Sequence, residues 1–258
     1  MEKNEILGFI ESKGFNKTLW RPAGKAMHSY NMIVEGDRVA VGISGGKDSL
    51  TLFNLLLRVK LISNVKFDII PVFVDQNGLE GKDAERVKKY IADLGYDLII
   101  ENSNIEKIVF DDRKEKNPCA LCSRMRRGIL YRVMKEQNCN KLALGHHLDD
   151  MAETFLMNLF YQGSMRKMEP MYKSEEYGFD IIRPLAFVEE DTIIKYTRKI
   201  EAPVMGCNCR LYQIKMDPKR LETKILIKNL EKKNPDIRKS ILNGLMGEKT
   251  RKNSEEDI

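Results

Sequence analysis

The fold is decided by the stretch RVAVGISGGKDS, residues 38–49. Its first half is an apolar run that predicts a buried strand. The next residues, 50–60, carry apolar side chains at helical spacing and predict a helix. Two glycines and Lys47 therefore lie where a strand turns into a helix. Because this junction presents backbone N–H groups and the positive end of the helix dipole to an anion, the stretch predicts a phosphate-binding loop.

The loop differs from the two common nucleotide-binding patterns. G-x-x-x-x-G-K-[ST] fails because only three residues separate Gly42 from Gly46 and an aspartate follows the lysine. G-x-G-x-x-G fails as well. SGGKDS instead resembles the SGGxDS loop of the ATP pyrophosphatase (PP-loop) superfamily, whose enzymes adenylate a substrate and release pyrophosphate. By that resemblance the ATP-binding residues are Ser44, Gly45, Gly46, Lys47, Asp48 and Ser49. A purely structural turn is the alternative interpretation.

Length and composition bound the class of protein. The 258 residues suffice for one large domain or two small ones. The chain begins without a signal segment and has no apolar run long enough to span a membrane, so we expect a cytoplasmic protein. Five cysteines, an odd number in a lysine-rich chain, argue against a disulfide framework and indicate metal or redox chemistry.

The positive charge is unevenly distributed. The formal net charge is +6. Residues 113–135 contain eight Lys or Arg and one acid, and residues 210–239 contain ten Lys or Arg and four acids. Two basic segments on an otherwise acidic chain indicate a polyanionic partner. For the second segment alone, solvated helix faces are an equally good interpretation.

Strand and helix patterns alternate after the loop. Predicted strands cover 67–75, 96–101 and 140–145, and predicted helices cover 82–94 and 149–161. This alternation predicts an α/β fold, a parallel sheet flanked by helices. Ligands bind at the carboxyl ends of such strands. The residues at those ends that we expect to line the nucleotide site, besides the loop, are Asp75, Gly145 and His146.

We expect four parts in the chain. They are an N-terminal helical segment (1–35) with a break at residues 20–24, a PP-loop domain that includes a metal or cluster site (36–212), basic C-terminal helices (213–247) and a disordered tail (248–258). Trp20 is expected to pack rather than to stack on a base.

Acidic residues near the predicted nucleotide site have two interpretations. Asp150 and Glu153 are three residues apart and share a helix face, where they would stabilise the helix N-terminus. Beside a phosphate loop they have a second use, because a nucleoside triphosphate arrives with Mg²⁺, which prefers carboxylate oxygens. Asp48 and Asp150 are the candidate ligands. His146 and the adjacent His147 either orient substrate or pack.

Cysteines form the second constellation. Pro118 fits the first position of a helix, so Cys119 and Cys122 lie in its first turn, where the helix dipole favours thiolates. Cys207 and Cys209 are separated by one residue and cannot easily both reach one metal. We therefore expect three ligands, Cys119, Cys122 and Cys207, with Cys209 as an alternative third ligand or a catalytic persulfide carrier. Zinc on four thiolates is one interpretation, and three thiolates favour an iron–sulfur cluster with an open iron. Cys139 is expected to be a core residue.

Longer motifs resemble the tRNA 2-thiocytidine synthetase family from about residue 20 to about residue 245. They are PCALCSRMRRGILY (118–131), ALGHHLDD (143–150), Glu153-Thr154, NLFYQG (158–163), Asp75-Gln76 and IRPL (182–185). The resemblance implies a [4Fe–4S] cluster on Cys119, Cys122 and Cys207, with ATP and Mg²⁺. It implies thiolation of cytidine 32 in the tRNA anticodon loop, with Asp150 and Arg126 in catalytic positions.

One departure and two alternatives remain open. The family usually has C-x-x-C downstream, where this chain has Cys207-Asn208-Cys209, so the cysteine that handles sulfur is undecided. The chain lacks the N-terminal zinc-binding cysteines typical of the 2-thiouridine branch. The alternatives are a PP-loop sulfurtransferase for another nucleoside or a small molecule, and a non-enzymatic iron–sulfur or zinc RNA-binding module. Expected partners are tRNA, a sulfur donor (cysteine desulfurase or sulfide) and a second copy in a homodimer. The thiolase interpretation requires Lys47 and Cys119 to open into one cavity.

Overall fold

The computed structural model describes residues 3–11, 13–76, 82–115, 118–175, 177–205 and 218–252. Within them, six strands form one sheet. The strands are β1 (Arg38–Ile43), β2 (Asp68–Asp75), β3 (Ile99–Asn102), β4 (Lys141–Ala143), β5 (Met171–Ser174) and β6 (Phe179–Ile182). Their order across the sheet is β3-β2-β1-β4-β6-β5. The apolar run before the phosphate loop is β1, and it has a neighbouring strand on both sides.

The sheet is mostly parallel, which confirms the predicted α/β class. Parallel pairing joins β3, β2, β1, β4 and β6, and Val41 in β1 lies opposite Pro71 and Ala143. β2 runs through Pro71 without a break. Because β2 pairs with β3 only from Val72 on, the missing N–H of the proline removes no bond from that ladder. β5 was not expected: it pairs antiparallel with β6 at the edge.

Helices flank the sheet on both faces. They are α1 (Lys3–Glu11), α2 (Arg21–Ser29), α3 (Lys47–Ile62), α4 (Lys82–Asp93), α5 (Pro118–Glu136), α6 (Leu148–Gln162), α7 (Glu190–Lys199), α8 (Pro218–Glu231) and α9 (Ile237–Lys252). A 3₁₀ turn (Lys13–Phe15) and two π-helical segments (Asn16–Trp20 and Lys107–Asp112) complete the described helical structure.

The N-terminal segment differs from the prediction of a break at residues 20–24. α2 begins at Arg21 and runs through Gly24, because Pro22 lies in the first turn, where its missing N–H costs no helical hydrogen bond. The interruption lies earlier, in the 3₁₀ and π-helical turns. Trp20 is 6% exposed and contacts the ring of Tyr196 edge-on, which confirms that it is a packing residue.

Two cores lie on opposite faces of the sheet. Buried side chains of α1, α2, α3, α4 and α7 form the larger one, with Phe53 and Tyr196 among its largest members. α5 and the π-helical segment at 107–112 cover the other face, where Leu130 and Val109 are buried. Cys139 belongs to this second core, and its burial confirms the prediction. The sheet is therefore the middle layer of three.

The first turns of α3 and α5 lie at the same edge of the sheet, where the parallel strands end; we name it the carboxyl edge. α3 follows β1 directly through the phosphate loop. α5 leads into β4, and the backbone N–H of Asn140, just before β4, bonds the carbonyl of Arg38 at the start of β1. α5 thus ends at the amino edge. Its 19 residues span about 28 Å, so its first turn lies at the carboxyl edge.

The C-terminal helices α8 and α9 pack on α6. Ile227 of α8 is buried against Ala152 and Leu156 of α6, and Ile241 of α9 lies beside them. α9 includes residues 248–252, which were expected to belong to a disordered tail. Among the described helices, none combines the length and apolar character that a membrane crossing requires.

Candidate active site

The phosphate loop is held in shape by Ser49. The hydroxyl of Ser49 is buried, accepts a hydrogen bond from the backbone N–H of Ser44 at 3.1 Å, and donates one to the carbonyl of Gly46 at 3.0 Å. Gly46 precedes α3 in an extended conformation and offers no side chain to cap the helix. The first N–H groups of α3 are therefore directed toward an external acceptor, as a phosphate-binding helix start requires.

Gly45 is required by its conformation and by its neighbour. Its φ is +75°, a backbone conformation that residues other than glycine rarely adopt. A Cβ at this position would lie 2.2 Å from the sulfur of Met205. The backbone N–H of Met205 also donates to the carbonyl of Gly45 at 2.8 Å. The segment that ends at residue 205 is thus fixed against the phosphate loop.

Gly145 brings the end of a second strand, β4, to the same place. A Cβ on Gly145 would lie 3.0 Å from the backbone carbon of Asp48 and 3.1 Å from the nitrogen of Ser49. Only glycine permits this approach between the segment after β4 and the first turn of α3. The structure therefore brings together the loop and the stretch 145–150, as the sequence predicted.

Lys47 is held by two carboxylates. Its Nζ lies 2.9 Å from Asp48 Oδ2 and 3.1 Å from Glu190 Oε1. Burial alone would lower the pKa of Lys47, but the two acids outweigh it and the pKa is raised. Lys47 is therefore a cation at neutral pH, placed at the start of α3.

Glu190 connects the loop to the C-terminal helices. It is the first residue of α7, and its carboxylate bonds Lys47 on one oxygen and Lys224 of α8 on the other, the latter at 2.7 Å. Burial would raise the pKa of Glu190, yet Lys224 and Lys47 lower it to about 2. Its backbone N–H donates to Asp149 at 2.8 Å, which fixes α7 against the first turn of α6.

Asp48 and Asp150 converge around His147. The Nε2 atom of His147 lies 3.7 Å from Asp48 Oδ1 and 3.5 Å from Asp150 Oδ2. The backbone N–H of His147 donates to Asp150 Oδ2 at 3.1 Å, so this acid also caps α6. Burial would raise the pKa of Asp150, but His147 and Arg220 lower it. Two carboxylates thus face one point beside the phosphate loop.

Arg220 of α8 closes this side of the site. Its guanidinium bonds Asp150 through one nitrogen and Glu153 through Nε at 2.8 Å. The prediction that Asp150 and Glu153 share a helix face is confirmed by this common partner. Arg238 of α9 makes a similar pair with the neighbouring Asp149, at 3.0 Å.

His146 faces a different group from His147. Its Nδ1 accepts a hydrogen bond from Arg183 Nε at 3.2 Å. Burial, aided by Arg183, lowers the pKa of His146 to about 4, so its imidazole is neutral at pH 7. His147, and not His146, is therefore the histidine that faces the candidate magnesium ligands.

The remaining predicted site residues are placed as follows. Asp75 is buried at the end of β2, at the carboxyl edge. Arg126 is half-buried in α5. Cys119 is exposed and Cys122 is partly buried in the first turns of α5. Cys207 and Cys209 lie outside the described residues.

Lys47 and Cys119 belong to helices on opposite faces of the sheet, and the first turns of both helices lie at its carboxyl edge. That the two residues share one opening stays a prediction.

Part of the second basic segment is paired within the molecule. Its cations Arg220, Lys224 and Arg238 contact acids of α6 and α7. This is a third outcome beside the two that the sequence left open, a polyanionic partner and solvated helix faces. Such long-range pairs have no local signature, because the partners are separated by many residues of chain.

Four site residues were missed by sequence reasoning. His147 was not distinguished from its neighbour, and Glu190 resembled an ordinary acid at a helix start. Met205 and Arg220 lie far along the chain from the residues they contact. Only the two cysteines that follow Met205 marked its segment as functional.

Comparison with known proteins defines the class. Residues 19–203 match the PP-loop domain family, which is the class that the loop and the sheet edge indicate. The chain is 37% identical over 240 residues to the tRNA-cytidine(32) 2-sulfurtransferase of Geotalea uraniireducens (strain Rf4), covering 93% of this chain and 94% of the relative. The corresponding protein of Geobacter metallireducens is 36% identical over 238 residues, with 92% and 91% covered. The chain belongs to the tRNA-cytidine(32) 2-sulfurtransferase family, which confirms the resemblance seen in its motifs.

A solved structure supports the same class. The U34-tRNA thiolase NcsA from Methanococcus maripaludis, described with its [4Fe–4S] cluster, superimposes with a TM-score of 0.69 at 27% identity. The match covers 88% of this chain and 76% of that one.

Proposed function

We propose that this protein uses ATP to activate the C2 carbonyl of a tRNA cytidine, at position 32, and replaces its oxygen with sulfur. The observation that supports this most directly is that the phosphate loop and the first turn of α5, with Cys119 and Cys122, lie at the same edge of the sheet. The family to which the chain belongs supplies the substrate. The protein would act in the cytoplasm, where tRNA is found.

ATP would bind with its phosphates on the loop 44–49. The N–H groups at the start of α3 and the ammonium of Lys47 would contact the phosphate oxygens. The base oxygen attacks the α-phosphorus, the bond to the β-phosphate breaks, and pyrophosphate leaves. Because negative charge accumulates on phosphoryl oxygens in this step, positioned cations supply most of the rate acceleration.

The donor set near Lys47 fits Mg²⁺. Asp48 and Asp150 converge on one point, and Mg²⁺ is usually held by one or two carboxylates together with substrate phosphates. No group of three His, Cys, Asp or Glu side chains close enough to hold a metal occurs among the described residues. We therefore propose that Asp48 and Asp150 hold Mg²⁺ weakly by themselves and tightly only together with ATP.

The thiols of α5 fit an iron–sulfur cluster as two of three ligands. Cys119 and Cys122 are one turn apart at the helix start. The proposed third ligand, Cys207, follows Met205 by two residues, a length of chain that reaches about 7 Å at most. Since Met205 is bonded to Gly45, we propose that all three thiolates lie near the nucleotide loop. When bound, the cluster supplies an open iron that can carry the sulfur atom, and AMP is the leaving group.

The tRNA would contact the exposed arginines of α5. Arg124 and Arg127 are exposed in the turns after Cys122. The base must leave its stack to reach the site, which a loop permits more easily than a duplex. Arg126 and Cys209 are the proposed catalytic residues besides Asp150.

The proposed sulfur donor is a cysteine desulfurase or free sulfide. The proposed assembly is a homodimer.

The test is anaerobic turnover with ATP, sulfide and unmodified tRNA. We expect AMP, pyrophosphate and 2-thiocytidine, identified by mass spectrometry of the nucleosides. Lys47→Ala should reduce pyrophosphate release at least about 100-fold. Lys60→Ala is the matched control and should retain activity, because Lys60 lies at the other end of α3 and pairs with exposed Asp68 at 3.7 Å. AMP without a thiolated nucleoside would contradict the proposal, and 2-thiouridine would assign the chain to the uridine reaction.

A further inference from the structure

One partly buried and one buried carboxylate of α6 are covered by one accessible cation. The side chains of Asp150 and Glu153 are 19% and 6% exposed, whereas that of Arg220 is 43% exposed. The guanidinium bonds both acids. Arg220 thus lies between the two carboxylates and solvent.

The pair of acids requires a cation at all times. Two like charges one helical turn apart repel each other, and a carboxylate withdrawn from water is costly without a partner. A guanidinium satisfies both acids through its fork of donors. A divalent ion bound to Asp150 would satisfy the same requirement, so the two cations are alternatives.

The neighbouring groups also point to an exchangeable cation site. Asp48, the second proposed ligand, is likewise neutralised by a side chain, Lys47. His147 is only 4% exposed and lies beside both acids. Its Nε2 is directed between Asp48 and Asp150, at distances of 3.7 and 3.5 Å. The polar site is therefore only loosely satisfied by the protein alone.

We propose that Arg220 is a positioning residue that occupies the magnesium side of the site until Mg²⁺ and ATP bind and displace its guanidinium from Asp150. This inference rests on the proposed function, because it takes Asp150 as a magnesium ligand. Displacement loosens the start of α8, the helix that carries much of the second basic segment. Nucleotide binding is thereby coupled to the position of the C-terminal helices.

The experiment measures Mn²⁺ binding by electron paramagnetic resonance of the free ion, with the full-length protein and no tRNA. Nucleotide-free Arg220→Gln should bind Mn²⁺ about five- to tenfold more tightly than the unmodified protein, because a competing cation is removed. Arg220→Lys should be intermediate, since an ammonium cannot bond both acids as a fork does. Lys239→Gln is the control. It removes one positive charge of α9, which is exposed and paired with Asp236 and Glu189, and should leave the Mn²⁺ affinity unchanged.

Equal or weaker Mn²⁺ binding by Arg220→Gln would overturn the proposal, because Arg220 would then only hold the acids in place. A second measurement needs no variant. Backbone amide hydrogen exchange of the unmodified protein should become faster at residues 219–224 when Mg²⁺ and a non-hydrolysable ATP analogue are added. Exchange at residues 227–231 of the same helix is the reference and should change less. Unchanged exchange at 219–224 would also overturn it. Neither readout depends on thiolation. A protein that fails to thiolate tRNA would therefore still reveal whether Mg²⁺ displaces Arg220.

Discussion

The backbone N–H of Met205 donates a hydrogen bond to the carbonyl oxygen of Gly45 at 2.8 Å. One partner belongs to the loop that would hold ATP, and the other lies two residues before Cys207. A single main-chain hydrogen bond therefore joins the phosphate loop to the segment that leads into the downstream cysteines. This contact makes the left-handed conformation of Gly45 a requirement of the site as well as of the turn.

Gly45→Ala should abolish ATP binding. The substitution places a Cβ in a strained backbone conformation, at about 1–2 kcal/mol, and also into the side chain of Met205. Gly36→Ala is the matched control, because φ is +82° there and, in the described part of the chain, the added carbon would meet nothing within 4 Å. We expect similar strain from both, measured as the free energy of unfolding in urea, and loss of ATP affinity in Gly45→Ala alone. Equal ATP affinity in the two variants would show that the contact with Met205 is dispensable.

Cys119→Ser and Cys122→Ser should remove the iron–sulfur cluster. Serine is a poor replacement for a thiolate ligand, so iron and sulfide per chain and the brown colour should fall sharply in anaerobic preparations. Cys139→Ala is the control, because Cys139 is buried in the second core and burial raises the pKa of its thiol. It should cost about 1 kcal/mol of stability and retain the iron. Zinc in place of iron in the unmodified protein would contradict this prediction.

Arg124→Ala and Arg127→Ala should weaken tRNA binding and reduce its salt dependence. Both side chains are exposed on α5, and the removal of one arginine that binds a phosphate should lower the slope of log K against log salt by about 1. Arg132 lies on the same helix but is paired with Glu101 at 2.5 Å and Glu136 at 2.9 Å. Arg132→Ala should therefore change the slope little. A uniform effect of all three would mean that charge alone, and not its position, determines binding.

Glu190→Gln should destabilise the protein in a pH-dependent manner. The pKa of Glu190 is lowered from 4.5 to about 2 in the folded state, so its contribution is fully present above pH 4.5 and is lost as the pH falls toward 2. Urea unfolding at several pH values between 7 and 3 should show the two proteins converging at acid pH. Glu189→Gln is the control, since its pair with Lys239 is exposed and 3.6 Å long. A difference that grew on acidification would have the wrong sign.

Sequence reasoning located the elements that carry strong local signals. The strand before the phosphate loop was predicted with its observed bounds, 38–43, because a buried parallel strand is a continuous apolar run. The start of α5 at Pro118 followed from the preference of proline for a helix N-terminus. The β5–β6 hairpin was missed, because its two strands follow each other without a helix between them and so lie outside the strand–helix alternation.

The candidate site was predicted only where its residues follow strands. Ser44, Asp75 and Gly145 were brought to one edge by the topology, which follows from the alternation of strands and helices. The ion pairs of Glu190 and Arg220 could not be predicted, because nothing in the sequence links them to acids or cations on other helices. Distinguishing His147 from His146 required the geometry of the loop before α6.

The order in which the chain is synthesised gives the contact between Gly45 and Met205 a further meaning. The phosphate loop leaves the ribosome well before Glu190 and Met205, which lie far downstream of it in the chain. A nascent chain can therefore form its central strands while the proposed nucleotide-binding site is still incomplete. The proposed ATP site is therefore complete only after the segment that ends at Met205 has docked against Gly45.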